Sequence, residues 1–247
     1  MTPINVSVDI SPRRAYAMIL MLVGSIIISF SGLAIRNIEM ADNWQINFYR
    51  SISFGLAISI VLLFRYGKRG HQQLTGIGLQ GVLAAVLLGG ASISFLLAIT
   101  NTTVAATTFT LSSIPFLTAI MAWLFLGERI GKSTVITMLI AGVGISLMFV
   151  QGLGSGTFYG NFMAFLCAIG FSYYTIIIRR NRSLEMLPTL ILSNLIIMLI
   201  AIIFTWDDLL ISWNDLLLCF VLGGLLSATV NTPVSYTHLT LPTKRIV

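Results

Sequence analysis

Charge is the scarcest commodity in this chain. Of its 247 residues only 9% are Asp, Glu, Lys or Arg, against 57% hydrophobic. Soluble domains carry about a quarter charged residues, so a water-facing globular surface is excluded. Cysteine is nearly absent: Cys167 and Cys219 both lie inside hydrophobic runs, which leaves no disulfide framework to read. Histidine is limited to His71 and His238. No set of His, Cys, Asp or Glu has metal-ligand spacing or forms a catalytic dyad, so no metal, no cofactor and no enzyme activity is expected. With Asp215 counted beside Asp207 and Asp208 as a loop charge, acidic residues are missing from the apolar runs, which removes the usual carboxylate relay of proton-driven carriers. The formal charge is +6, yet the basic residues form no patch that would hold nucleic acid. They sit in short loops, where membrane topology accounts for them.

What is present is a series of long apolar runs. Eight can be laid out, at about 15–35, 44–64, 76–98, 103–126, 133–150, 159–178, 187–205 and 213–232. Each approaches the ~20 residues that cross a bilayer as a helix. Lipid offers no partner to an open strand edge, so all eight are read as helices. The N-terminal stretch, with Arg13 and Arg14 before an apolar run, superficially resembles a signal peptide. Its length and the runs that follow make it an uncleaved first span.

The loops assign an orientation. Arg13, Arg14, Arg65, Lys68, Arg69, Arg129, Lys132, Arg179, Arg180 and Arg182 fall on one face of the array, and Arg36 alone on the other. Cationic loops stay in the cytoplasm, so the N-terminus is expected inside an inner or plasma membrane. Trp44, Trp206 and Trp213 fall at the outer boundary as interfacial anchors.

Two short matches suggest an internal repeat. "ISFS" (28–31) in the first segment corresponds to "IGFS" (169–172) in the sixth, and "LGG" (88–90) in the third to "LGG" (222–224) in the eighth. Both join segments five apart. Five is odd, so the second unit would run through the membrane inverted, as in secondary transporters. The expected organisation is a cytoplasmic segment 1–12, a first unit 13–150 and a partial second unit 157–232. Repeat symmetry implies two further spans to complete the second unit. The stretch "PVSYTHLTLPTKRIV" (233–247) has no helical period and resembles a translated sequencing adapter, so it carries no weight in the fold. Its bland alternative is a native cytoplasmic tail.

The sequence then resembles the EamA-type family of the drug/metabolite transporter superfamily. "NFYRSIS" (47–53), "LSSIPFLTAIMAWLFLGERIG" (111–131) and the glycine-rich "LIAGVGISLMF" (139–149) carry the likeness. It implies an all-α polytopic bundle, eight of ten helices in an inverted 5+5 arrangement whose second half is incomplete. It also implies a carrier working by alternating access. The helices absent relative to the family would complete its substrate cavity.

Candidate site residues are few. Arg50 lies in "INFYRSISFGLAISIVLLF" (46–64), about 9 Å below the outer boundary at 1.5 Å per residue. An arginine at that depth is costly. It either snorkels to the interface, pairs internally, or faces a cavity where it attracts a carboxylate or phosphate. Asn47, Arg50 and Phe54 share one helical face, which favours the cavity. In "TTVAATTFTLSSIP" (102–115), Thr103, Thr107 and Thr110 share a face, readable as a polar wall or as small packing residues with back-bonded hydroxyls. Pro115 should kink this helix and expose the Leu111 carbonyl, a candidate gating bend. Asn194 and Tyr174 are a cavity amide and aromatic, or packing groups. Glu128 and Arg129 are interfacial, with Glu128 expected to pair locally with Lys132. Gly81, Ala85 and Gly89, and Gly142 with Ser146, form small-residue stripes for close helix packing.

The expected activity is movement of a small polar organic solute, amino-acid-like, carboxylate-like or a drug, by export or exchange. The rival is a non-transporting membrane scaffold or chaperone. The expected partners are a small-molecule substrate and the lipid bilayer, with a homodimer compatible and no nucleic acid.

Overall fold

The fold is seen in a computed structural model that describes residues 12–66, 76–181 and 186–227. The segment 1–11, Lys68, Arg69, His71, Arg182, the end of the eighth apolar run and the 233–247 stretch lie outside the described residues. Among the described residues, nine α-helices follow one another: α1 (Pro12–Arg36), α2 (Asn43–Tyr66), α3 (Gly78–Asn101), α4 (Val104–Leu111), α5 (Ile114–Leu126), α6 (Lys132–Ser155), α7 (Phe158–Arg180), α8 (Met186–Thr205) and α9 (Trp213–Phe220). A π-helical run, Val221–Ser227, continues α9. No strand occurs among the described residues. Six stretches of them are long and apolar enough to cross a membrane, α4 and α5 counting as one, and Leu22–Arg36 and Trp213–Gly224 are shorter apolar helices. The eight apolar runs of the sequence thus each become a helix or a broken helix.

The helix ends follow local chemistry. Thr103 caps α4 by accepting a hydrogen bond from Ala106 N (3.0 Å). Gly127 ends α5 in the left-handed region (φ 69°), where a side chain would be strained. The N–H of Glu128 then turns back onto Ala122 O (3.3 Å). This is the physical content of the "LGER" turn.

Two local expectations are corrected here. The 103–126 run is not one helix bent at Pro115: it is divided, with Ser112 and Ser113 as a turn and Pro115 in the first turn of α5. Proline is tolerated at that position because its missing N–H had no helical partner anyway. The break is supported by side chains. Ser112 Oγ donates to Phe109 O (2.6 Å), Ser113 Oγ to Thr110 O (2.6 Å), and Ser172 Oγ of α7 to Ile114 O (3.2 Å). Glu128 pairs with Arg179 of α7 at 2.8 Å rather than with Lys132. An i,i+4 pair needs a continuous helix, and Gly127 has already ended α5.

α2 and α8 pack along each other at the centre of the bundle. α3 lies against both α7 and α8, while α9 and its π-helical extension lie against α1 and α2. The packing therefore repeats under a shift of five membrane segments, with α2–α8 as the shared seam. Glycines show the register. A Cβ placed on Gly89 would meet Ser193 O at 3.2 Å and the side chains of Ile196 and Ile197. One placed on Gly223 would collide with Arg50 O and approach Phe54 N and Ser53 Cβ to 3.0 Å. Arg50, Ser53 and Phe54 have the same spacing as Ser193, Ile196 and Ile197, so the two "LGG" glycines make equivalent backbone approaches.

The core divides accordingly. Phe54, Ile58, Leu62, Ala84, Leu88, Tyr174, Ile177, Leu187 and Leu190 form one cluster, and Ile35, Ile46, Leu96, Ile99, Cys219 and Leu222 another. The stripe of Gly81, Ala85 and Gly89 is buried as expected. The stripe on α6 is not: neither Gly142 nor Ser146 is buried, and a Cβ on Gly142 would meet nothing within 4 Å. α6 leans on α7 and α4 and packs little on the preceding α5, and its close glycine contacts are made instead by Gly144 with Phe109 and Gly152 with Asn161 and Phe158.

Candidate functional site

α2 gathers most of the candidate polar groups. Asn47 is fully buried, its amide donating to Asn43 O (3.2 Å). One turn deeper, Arg50 Nη2 donates to Asn47 Oδ1 across a long 3.5 Å. Arg50 Nε is buried and, alone among the buried side-chain nitrogens and oxygens of the described residues, has no hydrogen-bond partner. A buried unpaired donor on a cation is expensive, and native folds rarely keep one without a use. The residue as a whole is part-buried, with Nε sealed inside, an arrangement short of a guanidinium carried fully into water.

The surroundings of Arg50 come from α9 and its extension. Cys219 stands one turn before Gly223, which packs on the Arg50 carbonyl. Ser53 Oγ donates to Phe220 O (2.9 Å) where the α-helix passes into the π-helical run. π-helical turns are rare and frequent at functional sites. Here one faces the same turn of α2 that carries the arginine.

The remaining candidates are placed as follows. Asn194 is buried on α8 and faces α2, its Cβ lying 3.9 Å from the place a Cβ on Gly55 would take. Its amide donates to Leu190 O (2.8 Å). Tyr174 of α7 is buried with Phe54 and Ile58. Both therefore meet α2 inward of Arg50. Thr107 and Thr110 are fully buried on α4, which packs chiefly on α7, and their hydroxyls donate to Thr103 O and Ala106 O. The structure does not bring them to Arg50, because the wall opposite α2 is built by α8 and α9 instead.

One residue escapes sequence reading. Asp215 stands in the first turn of α9 with 3% of its surface exposed, so a carboxylate does enter an apolar run. Its oxygens accept from the backbone N–H groups of Glu39 (3.3 Å), Met40 (3.1 Å) and Ala41 (3.0 Å). The signal was "SWND" (212–215), a Ser-x-x-Asp helix start. It marks the position of the acid but not the distant turn that the acid holds.

Two open cavities lie elsewhere. One of about 570 Å³ is lined by Phe116, Ile120, Phe149, Phe162 and Phe165, among others, between α5, α6 and α7. One of about 380 Å³ lies beside Phe109 and Gly144. Both are apolar and neither reaches Arg50, so neither offers charge recognition. No group of His, Cys, Asp or Glu among the described residues could hold a metal.

A part-buried arginine whose Nε has no partner thus faces a glycine-packed helix seam. The sequence profile of the EamA-like transporter family matches residues 15–150. The chain belongs to that family. No curated protein and no solved structure matches it. This EamA-like chain is thus a multi-pass membrane transporter of the drug/metabolite transporter type, whose partners are a small-molecule substrate and the lipid bilayer. The family are transporters rather than enzymes.

Proposed function

We propose that this EamA-like transporter carries a small organic solute with an anionic group, carboxylate-like or amino-acid-like, by alternating access. The observation that carries the reading is Arg50: a part-buried arginine whose sealed-in Nε has no protein partner and whose link to Asn47 is long. A planar fork of donors suits a carboxylate or phosphate, which would supply the missing acceptors. Asn47 orients the guanidinium, Asn194 and Tyr174 bound the inner side of the path along α2, and the Ser112–Ser113 break with Pro115 lets α4 and α5 move separately.

The two units, 13–150 and 157–232, rock about the α2–α8 seam to expose the arginine to either side. The cation-rich loops support an N-terminus in the cytoplasm of a plasma (inner) membrane, with Arg50 toward the outer face. With no free intramembrane acid among the described residues, export or exchange is the favoured mode.

The test is uptake and counterflow of radiolabelled carboxylates, amino acids and phosphate esters in proteoliposomes, with wild type, Arg50→Lys and Arg50→Gln. Saturable transport of at least one anionic probe, weakened in Lys and lost in Gln, is expected, because lysine keeps the charge but not the fork. Wild-type protein that moves none of them, with Arg50→Cys unreactive to aqueous thiol reagents, would favour the scaffold reading.

A further inference from the structure

The hydrogen bonds at the Asp215 end of the bundle form a clasp between the two halves of the chain. The turn after α1 is held by Asp215 through three consecutive backbone N–H groups. Gln45 Oε1 accepts from Asp42 N (2.7 Å), and its Nε2 donates to Asp208 O (2.7 Å) across to the α8–α9 loop. Tyr49 donates its hydroxyl to Leu209 O in the same loop. Trp44 stacks on Phe204 at 4.3 Å with 13° between rings. The bond to Asp42 aside, each contact joins the α1–α2 hairpin to the α8–α9 hairpin, so these two hairpins part at this end only when the contacts break.

The clasp lies directly above the candidate site. Asp215 and Cys219 are one turn apart on one face of α9, and one turn further on Gly223 packs on the carbonyl of Arg50. Ile35 and Ile46, which flank the clasped turn, pack with Cys219 and Leu222 beneath it. The order from the bundle end inward is therefore turn, Asp215, Cys219 and Arg50. A carboxylate buried at 3% exposure yet bonded only to main-chain donors is suited to release: those N–H groups are satisfied by water as soon as the turn lifts.

We propose that Asp215 is the latch of an outer gate over Arg50, a positioning residue that holds the 39–41 turn shut and must let go for the site to face outward. This rests on the transport reading above, but its primary test does not need a substrate.

The two native cysteines are both buried and report separately: Cys219 below the latch and Cys167 in α7. In right-side-out vesicles carrying the full chain, a membrane-impermeant maleimide should label wild-type Cys219 slowly. It should label Cys219 roughly tenfold faster or more in Asp215→Ala, with Cys167 protected in both. Asp215→Asn, which keeps the shape and loses the charge, should fall between. Cys219 labelled at the wild-type rate in Asp215→Ala overturns the latch, and so does parallel exposure of Cys167, which would make Asp215 a general support of the fold.

A second measurement guards against misfolding of the single variant. Ala41→Cys with Asp215→Cys, in a background of Cys167→Ser and Cys219→Ser, should transport a radiolabelled carboxylate when reduced and stop when oxidised. Equal transport in both states overturns the gate. Absence of any wild-type uptake would instead count against the transport reading and leave the labelling result to stand alone.

Discussion

Replacing Arg50 by Met should make the resting protein no less stable while abolishing its function, and the two signs together separate a ligand-binding cation from a structural one. The unpaired Nε is a buried donor without a partner, worth about 1–3 kcal/mol of destabilisation. Burial of the charge adds to that, by less than the ~2.5–3.5 kcal/mol of a mid-membrane arginine because the residue lies near a helix end. Methionine fills similar space without either cost. Against this stands the loss of the contact to Asn47 Oδ1, which at 3.5 Å is at the limit of a hydrogen bond. Leaving that acceptor unpaired costs roughly 1 kcal/mol.

The Nε cost set against the lost contact alone leaves a gain on folding of about 0–2 kcal/mol, and burial of the charge can only add to it. Recognition moves the other way: loss of even one charge-assisted hydrogen bond, about 1.5–3 kcal/mol, weakens an anionic solute roughly 10- to 150-fold. Thermal unfolding of purified protein in detergent or nanodiscs gives the first quantity, and concentration-dependent uptake in proteoliposomes the second. A clear loss of stability with unchanged uptake would refute the reasoning, since Arg50 would then be paired to protein in the working state.

Other consequences follow from the same packing. Gly160→Ala would place a Cβ 2.6 Å from Asn101 C and 2.7 Å from Thr102 Cβ, which should lower stability by about 1–3 kcal/mol. Gly90→Ala, where a Cβ meets nothing within 4 Å, should be neutral or stabilising by up to about 1 kcal/mol; unfolding curves of the pair check both. Glu128→Gln breaks an ion pair whose side chains are 47% and 48% exposed, so unfolding in low salt should shift by at most about 1 kcal/mol and in high salt hardly at all. Pro115→Ala should change stability little, because the proline already sits where no N–H is needed. Its transport rate should fall as the Leu111 carbonyl regains a donor and the broken span stiffens, and initial uptake rates measure this.

Most of the fold was legible because lipid enforces it. Apolar runs of spanning length must become helices, and among the described residues the runs read from the sequence lie on helices, one of them broken at 112–113. What stayed hidden was decided by groups distant in the chain. Glu128 could be paired with Lys132 on helical spacing, but Gly127 turns the chain away and Arg179 is brought in by α7. Pro115 announced a bend, but the serines that turn it into a break are read only as hydroxyls until Ser172 is seen across the gap. Thr107 and Thr110 share a face with the spacing of a polar wall, yet that face is sealed against the bundle and its hydroxyls bond their own helix. Asp215 was the largest omission: counted as a loop charge beside Asp207 and Asp208, it is buried because three N–H groups some 175 residues away compensate it.

The seam between α2 and α8 shows why symmetry of packing need not mean symmetry of chemistry. Gly89 and Gly223 are small for the same reason, close approach of a partner backbone, and the partners have the same three-residue spacing. Backbone approach constrains only the glycine. It leaves the side chain on the approached residue free to differ, and there the halves diverge: Ser193 on α8 closes its hydroxyl onto Leu190 O, whereas the equivalent Arg50 on α2 is left with an unpaired Nε. The regular helix at Gly89 and the π-helical run at Gly223 diverge at the same place. Two rocking halves built on one packing plan would thus present a cation from one side only. On the proposed reading, a solute held there would meet fixed charge through its anionic end, and its remaining groups would meet the uncharged Asn194 and Tyr174 side of the path. A single arginine on an otherwise repeated scaffold would then suffice to give the carrier a preferred solute orientation without disturbing the contacts about which the halves are proposed to move.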